Sequence, residues 1–226
     1  AESNEQGDKD RVRRIYERSN RVLFMFGAVI SGFLVPWASE IIHLLLGDAY
    51  SGGVFVLSIM FLYPIHQSLG QVIGTMYYSL ELTKPHAIIG MIFMTLSIIT
   101  VYFLLAPANV IIPGLGLAST GLAIKMVLMQ FIGVNLSIWW LSRSQGWKFS
   151  IIYQFVGISS FLITGFLAKE SVSFLIWNGA PQLFQLTLTG LVYIIVSGAI
   201  IYTMPWLLNM KRNEIKGHIL SVYRSV

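Results

Sequence analysis

The sequence predicts an all-α integral membrane protein with six transmembrane helices, and three observations predict it. Of 226 residues, 55% are hydrophobic and 11% charged, whereas soluble domains carry about 25% charged residues to cover their surface. Mean hydropathy is +0.71, so water is not the main solvent of this chain. Apolar runs and polar breaks alternate along it, the runs falling at about 22–46, 53–78, 87–106, 117–141, 150–167 and 183–208. Each run approaches or exceeds the ~20 residues needed to cross roughly 30 Å of hydrocarbon, and the longer ones cross with tilt.

The first run follows a polar, basic lead-in over 1–21, and a tail over 209–226 follows the last. Glycine, proline and charge mark the breaks at Gly47-Asp48, Lys84-Pro85, 107–116, 143–148 and 169–181. A soluble helical bundle is the competing architecture, but its helices would each carry a polar face. The third run has only Thr95, Ser97, Thr100 and Tyr102 as polar interruptions, which fits a helix facing lipid. Pro64 is expected to kink the second run about a third of the way along. Cysteine is absent, which excludes disulfides, thiolate metal sites and cysteine nucleophiles.

Basic residues set the expected orientation. Lys9, Arg11, Arg13, Arg14, Arg18 and Arg21 precede the first crossing, Lys84, Arg143 and Lys148 fall in the second and fourth loops, and Lys211, Arg212, Lys216 and Arg224 lie in the tail. Against them stands Lys169 alone on the other side. Both termini are therefore expected in the cytoplasm, with Trp139, Trp140, Trp147 and Trp206 near inner ends and Trp37 and Trp177 toward the outside. The net charge of +5 then belongs to membrane topology, and no nucleic acid is expected as a partner. Residues 11–21 fit either a short helix lying on the inner leaflet or a solvated connector with pairs such as Glu17–Arg21. No signal-peptide pattern opens the chain, and its polar start without methionine is expected of a piece cut from a longer protein.

Few residues can carry catalysis. His43, His66, His86 and His218 are scattered, and neither an HExxH pattern nor a phosphate-binding glycine loop is present. Glu40 is the one acidic residue within a crossing. It stands three residues before His43, so the two are expected to pair near the outer surface, and they are the candidates for ion coupling. Asp48 nearby makes a metal site conceivable, but too few ligands converge for one to be expected.

Two crossings carry polar residues that hydrocarbon would penalise. On a helical wheel of the second, Tyr63, Gln67, Gly70, Gln71, Gly74, Thr75 and Tyr78 fall within an arc of about 140°, opposite Phe61, Leu62, Ile65, Leu69, Val72 and Met76. That arc fits a cavity wall that hydrogen-bonds a polar solute, and it equally fits close helix packing across Gly70 and Gly74. His66 lies just off it and reads as structural. The fourth crossing holds Lys125, the one intramembrane cation, about eight residues or roughly 12 Å from its outer end. Gly133, Ser119, Ser137 and Gln130 share its side of the wheel, with Asn135 on the other. A buried ionisable residue points to function, while snorkelling or a carboxylate partner would make it structural.

Three segments resemble a known family. Gly7-Asp8, followed by the charged residues Lys9 to Arg14 and Tyr16, resembles the lead-in before a helix of polysaccharide flippases. Pro36 followed by 41–50, ending Gly47-Asp48-Ala49-Tyr50, resembles their proline-bearing helix. Pro113-Gly114-Leu115-Gly116 through Gly121 resembles their glycine-rich approach to a later helix. In order and spacing the three resemble the C-terminal part of O-antigen and polysaccharide exporters (Wzx-like), within the multidrug/oligosaccharidyl-lipid/polysaccharide exporter superfamily. The resemblance implies a partial bundle of the two-lobed, MATE-like kind, with four helices of the second lobe plus the last two. It also implies that the remaining helices come from the same protein or a partner chain. No enzyme and no cofactor is implied; the implied activity is flipping of an undecaprenyl-pyrophosphate-linked oligosaccharide across the inner membrane. Lys125 would meet the phosphates, and Gln67, Gln71 and Gln130, with Thr75 and Tyr78, would line the cavity for the sugar.

Other functions stay open. A drug/cation antiporter of the same superfamily would use intramembrane carboxylates, for which Glu40 is the sole candidate. A membrane transferase acting on lipid-linked sugars would show a charged cluster in a long outer loop, and the outer loops here are short. A non-transporting subunit or truncated product is the remaining alternative. The orientation is directly testable, since single cysteines can be introduced into a cysteine-free background. An impermeant thiol reagent added outside should label Ser51→Cys and not Ser144→Cys; the reverse pattern would invert the topology.

Overall fold

The computed structural model describes residues 9–175, 181–210 and 212–214, and these are helical with no strand among them. Trp177, Lys211, Lys216, His218, Arg224 and the Gly7-Asp8 pair lie outside the described residues. The helices are α1 (Lys9–Leu34), α2 (Ala38–Leu45), α3 (Val54–Met60), α4 (Tyr63–Ser79), α5 (Thr83–Leu105), α6 (Ala118–Ser144), α7 (Ile152–Leu175) and α8 (Gln182–Thr203). They make six spans long and apolar enough to cross a membrane, two of them broken. The chain is a multi-pass all-α membrane protein.

Each break has a proline behind it. Pro36 sits in a 3-10 turn, Val35–Trp37, between α1 and α2. Pro64 opens α4 just after the chain leaves α3; lacking an N–H and clashing with the preceding turn, it cannot continue that helix. The carbonyl of Phe61, freed at the break, accepts a hydrogen bond from the Ser31 hydroxyl at 2.5 Å. A neighbouring helix thus repairs what proline removes, as hydrocarbon demands. Pro205 ends the sixth span, which finishes in a 3-10 turn, Pro205–Leu208, after α8.

Two boundaries differ from expectation. Residues 11–21 are neither a separate surface helix nor a loose connector, because α1 runs unbroken from Lys9 to Leu34. Tyr16 and Asn20 are buried there, and Glu17 pairs with Arg13 at 2.8 Å rather than with Arg21. The fifth span continues to Leu175 instead of stopping near 167. Lys169 does not end it, since its ammonium donates to Pro36 O at 2.7 Å and to Glu40 Oε1 at 2.6 Å. A charge satisfied across the bundle can remain inside a span.

Neighbouring helices pack in the order α5, α6, α4, α1, α7, α8, with α3 also against α6. None of the residues of α5 is buried, and this helix touches the bundle along α6 and the adjoining part of α4. The α1–α7 contact is the tightest: a Cβ on Gly165 would collide with the Gly32 carbonyl, and one on Gly32 would meet Phe161 backbone at 2.7 Å. Small residues let these backbones touch where dispersion, not water, drives association. Tyr193 of α8 anchors to the same place, donating to Val29 O at 2.7 Å.

Between the helices lies a buried polar cluster. Gln154 of α7, 1% exposed, donates from Nε2 to Asn135 Oδ1 of α6 at 2.8 Å and accepts from Asn135 Nδ2 at 3.0 Å. Its Oε1 also lies 3.0 Å from His66 Nε2 of α4, the imidazole N–H donating. One amide therefore ties three helices together. Gln154→Leu should lower stability by about 1–3 kcal/mol, the cost of orphaning buried polar partners. Gln154→Leu with Asn135→Leu should recover part of it. Thermal unfolding in detergent checks this, and an unchanged midpoint for Gln154→Leu would show that the cluster stabilises nothing.

Candidate functional site

Along α4 the apolar arc turns inward: Ile65, His66, Leu69, Ile73 and Tyr77 are buried. Ile65 and Leu69 belong to the arc expected opposite the glutamines. They pack against α1 and α6, and the polar arc is what remains outside. Gln71 and Thr75 are exposed, Gln67 is half-buried, and Tyr78 is 63% exposed. The Thr75 hydroxyl satisfies itself on Gln71 O at 3.0 Å. Of the two glycines expected to bring helices together, Gly70 does so, a Cβ there meeting Gln130 Nε2 at 3.1 Å and Val134 at 3.3 Å. Gly74 does not, its nearest such neighbour being His86 at 3.9 Å.

Beside that arc, α4, α5 and α6 enclose an open groove of about 380 Å³. Its polar groups come from Tyr63, His86, Ser97, Lys125, Gln130 and Ser137, between apolar walls that include Phe93, Met126 and Met129. Lys125 is half-buried and has no ion-pair or hydrogen-bond partner among the described residues. Gln130 donates weakly to His66 O at 3.4 Å, which leaves its amide oxygen free for a ligand. The structure therefore brings Lys125 and Gln130 into one groove and leaves Gln67, Gln71, Thr75 and Tyr78 on the adjoining open face.

Glu40 and His43 stand apart from the groove and from each other's side chains. Glu40 holds Lys169, whose ammonium also lies 4.9 Å from the Trp37 ring centroid, while His43 Nδ1 meets Asp48 Oδ1 at 2.6 Å. The expected Glu40–His43 pair is thus replaced by two others, Glu40 with Lys169 and His43 with Asp48. No group of three or more histidine or acidic residues that could hold a metal occurs among the described residues. Glu40 is also not the partner of Lys125, so that structural explanation for Lys125 falls.

Sequence reasoning missed two contributors. His86 lines the groove from the start of α5, its ring stacked on Tyr77 at 4.8 Å; a lone histidine beside Pro85 gives no signal of this. Gln154 is the other, an isolated amide near the start of a span. Its cost in hydrocarbon is a signal that a partner exists, though not which helix supplies it. The chain matches no family model, no curated protein and no solved structure.

Proposed function

We propose that this chain is part of a membrane transporter that flips an undecaprenyl-pyrophosphate-linked oligosaccharide across the cytoplasmic membrane, the activity implied by its resemblance to polysaccharide flippases. The observation that carries the reading is Lys125, an ammonium without a partner in an open, partly polar groove inside a membrane span. An unpaired charge there is costly, and an anionic headgroup entering with water offsets that cost. Gln130, with Gln67 and Gln71 on the adjoining face, suits sugar hydroxyls, which need both donors and acceptors. The apolar tail stays in lipid, and no bond in the substrate is made or broken.

The exposed polar arc of α4 supports a second half to the cavity, supplied by further helices of the same protein or by a partner chain. Loops and termini rich in Lys and Arg place the start of α1 and the end of α8 in the cytoplasm in this reading. The antiporter alternative is weaker because Glu40, the carboxylate that the sequence offered for it, is already bonded to Lys169.

Export of lipid-linked sugar in cells tests the proposal. Lys125→Ala and Lys125→Gln should lose export by tenfold or more at normal membrane abundance, roughly the weight of one charge-assisted contact. Lys125→Arg should keep part of it, since charge survives while shape changes, and Glu40→Ala should not rescue Lys125→Ala. Full export by Lys125→Gln would remove Lys125 from the substrate path.

A further inference from the structure

We infer that the basic end of the bundle contains a second anion site, which takes the phosphate of an acidic lipid headgroup from the leaflet at that end. The site is a chamber of about 370 Å³ between α1, the α6–α7 loop and the start of α7. It shares no lining residue with the Lys125 groove, so the inference stands apart from the transport reading.

The charges within it do not balance. Arg13, Arg21 and Lys148 line the chamber together with one carboxylate, Glu17. Arg13 Nε takes Glu17 Oε1 at 2.8 Å, which leaves two positive charges uncompensated. Arg21 is held by neutral groups, donating to Trp206 O at 2.5 Å with its guanidinium 4.7 Å from the Tyr153 ring centroid. These contacts fix its position without cancelling its charge. Lys148 has no hydrogen-bond or ion-pair partner among the described residues.

Two buried side chains on the wall lack partners as well. Tyr16 and Asn20, neighbours on this wall, are each 5% exposed, and among the described residues the Tyr16 hydroxyl and Asn20 Oδ1 make no hydrogen bond of good geometry. Orphaned groups of this kind are costly. The phenol O–H is a donor, and a turn of the Asn20 amide presents donors in place of its oxygen. Phosphate oxygens accept from both, and from Arg21 and Lys148 with charge assistance.

The surroundings favour a lipid over a soluble anion. The Tyr16 and Trp147 rings stand 5.4 Å apart on the wall, and the Arg21-bound Tyr153 completes an aromatic rim of the kind found at headgroup depth. Basic pockets between spans at such a depth bind acidic headgroups.

The test uses the whole chain in nanodiscs of phosphatidylcholine with and without phosphatidylglycerol, the retained lipid being read by native mass spectrometry. Phosphatidylglycerol should be retained in preference to phosphatidylcholine. Lys148→Gln, which breaks no hydrogen bond or ion pair among the described residues, and Tyr16→Phe, which keeps the ring, should each reduce retention several-fold, up to roughly tenfold. Lys125→Gln should leave it unchanged. Equal retention of both lipids, or full retention by both chamber variants, would overturn the site. Loss of retention in Lys125→Gln would move the lipid to the other groove, and displacement by inorganic phosphate would make the ligand a soluble anion; either result overturns the assignment.

Discussion

In hydrocarbon a polar atom without a partner costs several kcal/mol, and this one penalty organises the molecule. The chain answers it in three ways. Gln154, Asn135 and His66 satisfy one another in the core and thereby fix α4, α6 and α7 in register. Lys169 crosses from α7 to the carbonyl at the Pro36 break and to Glu40 Oε1, so one ammonium serves both the proline defect and an acid. At Lys125 and along Gln67, Gln71 and Tyr78 the penalty is left standing. That contrast, within one chain, is what marks the third set as a surface meant for water, solute or partner.

The packing that allows this is equally physical. Apolar matching gives no preference for helix over lipid, so helices must meet by shape. Gly32 and Gly165 bring α1 and α7 into backbone contact, and Gly70 makes room on α4 for the Gln130 and Val134 side chains of α6. With α1 clamped between α4 and α7, the groove beside α6 has one firm wall. Its other wall is α5, which buries none of its residues. The groove is thus built half on the core and half on the helix at the edge of the bundle.

The spans were legible in the sequence because hydrocarbon thickness dictates their length and composition. The Pro64 break was legible because proline acts locally. What was not legible depends on partners far apart in the chain. Lys169 read as a loop residue, since nothing local shows Pro36 and Glu40 opposite it. The wheel of α4 separated the glutamines from Ile65 and Leu69 but left open which arc packs, because amphipathicity in a membrane does not say which side meets protein. Lys125 and Gln130 were found together since they share one helix, whereas His86 reached their groove only through folding of α5 onto α6.

In the proposed transporter the polar arc of α4 faces an aqueous cavity rather than lipid. A nitroxide placed at Gln71→Cys, in the protein reconstituted into bilayers, measures this by its relative relaxation with a water-soluble nickel chelate and with oxygen. The account predicts strong contact with the nickel chelate and weak contact with oxygen, the opposite of a control at Ile98→Cys on the exposed apolar side of α5. A Gln71 label that follows the Ile98 label, open to oxygen and closed to the chelate, would contradict it.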